Sequence, residues 1–125
     1  MLLVDSGSAI NACPLDYAKE FPLRPGSKLW AKTASGERLR SQGRRLVKYL
    51  LRDGSLCTVD YEVLPVAKPV LSVSAMADRG TTCLMGPDGA ALRRPARNGT
   101  NATNGTKRVL YLIRRNDVFF LPATR

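Results

Sequence analysis

The chain contains no histidine. That absence removes His-assisted serine and cysteine catalysis and the common His-containing metal sites, so any acid–base work falls to carboxylates, with Lys or Tyr a less suitable choice. Cysteine is scarce: Cys13, Cys57 and Cys83 are odd in number, far apart and in no C-x-x-C pair. They match neither a disulfide framework nor a zinc site, which leaves free thiols in a reducing compartment. No apolar run approaches the roughly 20 residues needed to cross a bilayer. The start "MLLVD" has neither the basic region nor the long apolar stretch of a signal peptide. The expectation is a soluble, cytoplasmic chain with no membrane partner, no metal and no cofactor.

Acidic residues are also in deficit, 10 Asp and Glu against 20 Lys and Arg, a formal charge of +10. Such a balance draws a protein towards polyanions. The charge is scattered, densest in "RLRSQGRR" (38–45), "LRRPAR" (92–97) and "IRR" (113–115), and aromatic residues are not interleaved with it as a stacking platform requires. Solvated faces account for most of it, and weak nucleic-acid binding stays open as a partner class. At 125 residues the chain is a single domain by length, spanning 1–125, and long enough to bury one modest core.

Helical signal is sparse and strand signal dominates. In "RRLVKYLLRDGSLCTVDYEVLP", Val47, Tyr49 and Leu51 alternate with Lys48, Leu50 and Arg52; Asp53-Gly54-Ser55 supplies a turn; then Cys57, Val59, Tyr61 and Val63 alternate with Thr58, Asp60 and Glu62. This period of two predicts a β-hairpin with one buried face. A second hairpin is predicted from "VLYLI" (109–113) and "VFFLP" (118–122), joined by Arg114-Arg115-Asn116-Asp117, and a third pair of short strands around Pro87-Asp88-Gly89. "PLDYAKEF" (14–21) reads as two helical turns opened by Pro14, and "LSVSAMADRG" (71–80) as a short helix capped at Gly80. The stretch "RRPARNGTNATNGTK" (93–107) is a flexible surface loop between strands; its sequons at Asn98, Asn101 and Asn104 follow from low complexity rather than from secretion.

The segment with chemical content is "LLVDSGSAIN" (2–11), an apolar strand that runs into a carboxylate. An ionised carboxylate is costly to bury without partners, so Asp5 lies either in an Asx-turn or at a working site. Of the aspartates, only Asp5 is followed by Ser or Thr and then Gly. No partner for it is placed by the sequence, so any catalytic pair requires a second copy of the chain about a two-fold axis. Two carboxylates about 3 Å apart share one proton, one acting as base and the other as acid.

"LLVDSGSAINACPLDYAKEF" resembles the active-site segment of retropepsin-type aspartic proteases, with its apolar–Asp–Ser/Thr–Gly–Ala/Ser signature. "KTASGERLRSQG" (32–43) resembles their flap hairpin, the long hairpin after it their paired strands, and "VLSVSAMADRG" (70–80) their late apolar segment and short helix. Leu71-Ser72-Val73 is closest to the proteases of Copia-type retrotransposon polyproteins, and "RVLYLIRRNDVFFLP" resembles the closing hairpin of that group. The resemblance spans roughly 100 residues of short motifs. It implies an all-β fold of closed-barrel type with a flap hairpin and one short helix near the C-terminus. It also implies that the family's N-terminal strands are missing ahead of Asp5.

By the same resemblance Asp5 is the catalytic carboxylate of a homodimeric endopeptidase that processes a polyprotein. Ser6, Gly7 and Ser8 form the active-site loop, Ser6 tying the two loops together across the dimer and Gly7 letting the backbone approach the pair. Ala34, Ser35 and Gly36 cover the bound peptide from the flap. The alternatives are a catalytically inactive dimerisation or peptide-binding module of the same fold and a basic RNA-binding module.

Overall fold

The computed structural model describes residues 1–26, 30–32, 36–87, 89–94 and 108–125. The predicted long hairpin is its centre. β5 (Arg44–Leu51) and β6 (Leu56–Val63) pair antiparallel with Val47 opposite Val59 and Tyr49 opposite Cys57. Alternation does what period two requires: Val47, Tyr49, Leu51, Val59, Tyr61 and Val63 are buried, while Lys48, Leu50 and Thr58 face out. The connection closes as expected from its residues, with Gly54 at φ +83° and the Asp53 carboxylate accepting the Ser55 N–H at 2.9 Å.

Around this hairpin lies an eight-stranded sheet in the order β11-β12-β1-β7-β2-β6-β5-β13. It comprises β1 (Leu2–Asp5), β2 (Ala12–Cys13), β7 (Val70–Ser72), β11 (Ile113–Arg115), β12 (Val118–Leu121) and β13 (Ala123–Thr124) besides the hairpin. A small second sheet holds β8 (Thr82–Gly86), β9 (Gly89–Arg94) and β10 (Arg108–Tyr111), and β3 (Trp30–Lys32) pairs with β4 (Arg38–Arg40) on its own. One short helix, α1 (Val73–Asp78), interrupts the strands. The class is therefore all-β. Among the described residues no helix is long and apolar enough to cross a membrane.

The hydrogen-bonded ladder is not a closed barrel. Its ends are β11 and β13, which do not pair. The sheet nevertheless curls on itself: β12 pairs with β1 near one end, β13 pairs with β5 at the other, and only Pro122 separates them in sequence. Pro122 is buried and has no N–H to offer a ladder, so the strand breaks where it changes partner. Chain connection, rather than pairing, brings the two ends together.

Three predicted elements differ from expectation. Residues 14–21 form separate turns instead of a helix, because Ala18 stands at φ +56° and the buried Arg45 guanidinium donates to the carbonyls of Leu15 (2.8 Å) and Tyr17 (2.7 Å) that a helix would use itself. The strand expected at 109–113 is divided. Leu112 still donates to the Ala90 carbonyl at 2.9 Å, holding β10 on β9, and only from Ile113 does the chain pair with β12. Asn116 (φ +51°) and Asp117 (φ +64°) then close that hairpin as a type I′ turn. Finally, Arg93 and Arg94, assigned to the flexible loop, extend β9; residues 95–107 lie outside the described residues.

The helix forms at its predicted position, and the six strands that follow it among the described residues place it mid-chain rather than near the C-terminus. Gly80 (φ +86°) ends it: the Gly80 N–H reaches Ala77 and the Thr81 N–H reaches Met76, the two bonds of a Schellman cap. The core joins both sheets, with Leu92 and Leu110 packed in one cluster with Leu2, Val4, Leu71 and Leu121. Its tyrosine hydroxyls form a chain, Tyr17 to Tyr49 at 2.7 Å and Tyr49 to Tyr61 at 2.8 Å, which satisfies these groups inside the core.

Candidate active-site loop

β1 ends on Asp5, and its register decides what surrounds it. β1 runs parallel to β7 with Asp5 opposite Ser72, while β2 lies on the other side of β7, Ala12 opposite Val70. The segment 6–11 therefore crosses the C-terminal end of β7 to get from β1 to β2. A short, small-residue stretch suits that crossing.

The Asp5 carboxylate is half-buried, and its Oδ1 accepts the Gly7 N–H at 2.8 Å, the Asx-turn allowed by the sequence. Ser6 and Gly7 are exposed. A Cβ on Gly7 would stand 3.3 Å from Asp5 Oδ1, so glycine gives this carboxylate its room. Ser8 donates its hydroxyl to the Ile10 carbonyl at 2.6 Å, tightening the arch from within. Among the described residues, ion pairs join Arg44 to Asp60, Arg114 to Asp117 and Arg125 to Glu20, and none reaches Asp5.

Two residues with no expected role in the loop hold the arch down. Ser72 is fully buried; its Oγ donates to the Ser8 carbonyl at 2.6 Å and accepts the Ala75 N–H at 3.1 Å, so one hydroxyl ties the loop and caps α1. The Ser72 N–H donates to Asn11 Oδ1 at 2.8 Å. A serine directly before a helix is a legible cap signal. Asn11 carried none, because its partner lies 61 positions away.

A two-stranded hairpin overlaps the segment 32–43 expected to form a flap. β3 and β4 pair antiparallel, Trp30 opposite Arg40 and Lys32 opposite Arg38, with Gly36 exposed at φ +88° in the connection. Ala34 and Ser35 lie outside the described residues. At the hairpin's root Arg24 and Arg44 exchange backbone bonds of 2.8 and 2.9 Å. Gly26 and Gly43 meet there closely: a Cβ on Gly26 would fall 2.9 Å from Gly43 Cα, and one on Gly43 would fall 2.7 Å from the Arg24 carbonyl oxygen. The principal neighbours of β1 are β7 and β12, and those of β3 and β4 are each other, so loop and hairpin are separate features of one chain.

The remaining ionisable groups near the core are structural. Cys13 is buried, which pushes its thiol up to about 11 against a smaller opposing effect of Arg45. Burial also raises Tyr49 and Tyr61, so both stay neutral hydrogen-bonding groups. All three cysteines are free thiols. Among the described residues no three His, Cys, Asp or Glu side chains converge as a metal site. No protein-family profile matches this chain, and no curated protein matches it.

Proposed function

We propose that this chain is a retropepsin-like aspartic endopeptidase domain, of the kind carried by Copia-type retrotransposon polyproteins, acting as a homodimer in the cytoplasm. The observation that carries the reading is a half-buried carboxylate at a strand end, held by the Gly7 N–H and unpaired with any cation among the described residues, in an arch that Ser72 and Asn11 pin from below.

In the dimer, Asp5 of each copy faces its equivalent and the pair shares one proton. The ionised member takes a proton from a water whose oxygen attacks the scissile carbonyl; the protonated member stabilises the developing oxyanion and passes its proton on as the amine leaves. Ser6 stands exposed beside Asp5, where a second copy can meet it. The β3–β4 hairpin, with Gly36 in its connection, supplies backbone groups to an extended peptide in the manner of strand addition. The free thiols fit a reducing compartment.

The test is cleavage of a broad peptide library at about pH 5, where a shared proton is held, by the native chain and by Asp5→Asn, each at concentrations that drive dimerisation. Turnover by the native chain alone supports the assignment. Equal turnover by Asp5→Asn refutes the assignment of Asp5, and a folded native dimer without turnover refutes it in favour of a peptide-binding module; salt-sensitive RNA binding that survives Asp5→Asn favours the basic alternative.

A further inference from the structure

Between the main sheet, α1 and the small sheet lies a cavity of about 170 Å³. Its walls are mainly apolar, from Leu51 and Val59 on the hairpin, Leu71 on β7, Met76 on α1, and Leu92 and Leu110 from the small sheet. Two arginines, the exposed Arg79 and the partly buried Arg94, are among its lining residues, and no Asp or Glu is. The Nη1 of Arg94 is buried with no hydrogen-bond partner among the described residues. An orphaned buried donor on a cation calls for an acceptor, preferably an anionic one. Asp5 is not among the lining residues, although Asn11, at the far end of the same arch, is.

We propose that this cavity binds a small monocarboxylic acid with a compact apolar body, of the benzoate class, its ring among Leu71, Met76, Leu92 and Leu110 and its carboxylate on Arg94. Size and charge both select that class. An apolar cavity of about 150 Å³ takes up benzene, and the unpartnered Arg94 Nη1 supplies the charge complement that a neutral hydrocarbon leaves unused. Small-ligand sites combine an apolar lining with a few convergent polar groups in this way.

Cys57 lines the same cavity and is partly exposed, which provides a reporter. The full chain is alkylated with iodoacetamide in about 0.3 M NaCl, which screens loose anion binding to the basic surface, and each cysteine is followed by mass spectrometry. Benzoate at about 10 mM saturates a site with a Kd near 1 mM. It is expected to slow Cys57 alkylation about tenfold and to leave Cys83, outside the cavity, unchanged. Benzamide, lacking the charge, and acetate, lacking the ring, are expected to protect at least about tenfold less well.

Arg94→Gln is expected to raise the benzoate concentration needed for protection by about tenfold or more, the worth of a charge-assisted pair, whereas Arg115→Gln on exposed β11 leaves it unchanged. Equal protection by benzamide or by acetate, or none by benzoate, overturns the proposal. The three-probe comparison on the native chain decides the matter even if Arg94→Gln does not fold.

Discussion

Replacing Ser72 by alanine tests whether the loop carrying Asp5 is held by the fold or merely rests on it. The substitution removes one hydroxyl with two partners. The Ala75 N–H loses its cap acceptor, which costs about 1 kcal/mol at a helix start. The Ser8 carbonyl loses a donor at 2.6 Å in a partly buried setting, which costs about 1–2 kcal/mol. The Ser72 N–H to Asn11 bond uses the backbone and survives. The sum is about 2–3 kcal/mol, which for a chain of this length lowers Tm by roughly 6–12 °C. Urea unfolding of Ser72→Ala, with exposed Ser74→Ala on the same helix as control, measures it. The control is expected within about 0.5 kcal/mol of native. A Ser72→Ala loss below about 0.5 kcal/mol would refute the claim that this hydroxyl bridges helix and loop.

Other consequences can be measured alongside. Gly43→Ala places a Cβ 2.7 Å from the Arg24 carbonyl at a φ of +140°; a loss of at least about 2 kcal/mol in urea unfolding is expected, and a neutral result would contradict the close approach at the hairpin root. Asp117→Gly gives the β11–β12 connection the Asn-Gly pair that a type I′ turn favours, so Tm is expected to rise by a few degrees despite loss of the exposed Arg114 ion pair. Cys13, Tyr49 and Tyr61 all lose their protons less readily folded than unfolded. Their stabilisation is therefore complete below the unfolded values, about 9 for the thiol and about 10 for the phenols, and is lost as pH rises beyond them. Tyrosinate absorbance from Tyr49 and Tyr61 is expected to appear together with loss of near-ultraviolet dichroism; ionisation of both with the fold intact would count against the buried hydroxyl chain.

Sequence alone determined what depends on neighbours along the chain. The period-two pattern of 47–63 places the hairpin and its buried face, since alternate side chains of a strand must point to opposite sides. Gly80 stops the helix, and Asp53-Gly54-Ser55 closes the long hairpin, because their turn chemistry is local. The strand-ending Asp5 with Gly7 two places on was legible for the same reason. Tertiary structure decided the rest. The turns at 14–21 depend on the guanidinium of Arg45, some 30 positions away, taking the carbonyls a helix needs. The division at Leu112 depends on which sheet offers Ala90, and the open but curled ladder on where β13 finds β5. The support of the Asp5 arch by Ser72 and Asn11 likewise follows from β7 lying between β1 and β2. These contacts join groups far apart in sequence, where no local periodicity exists to announce them.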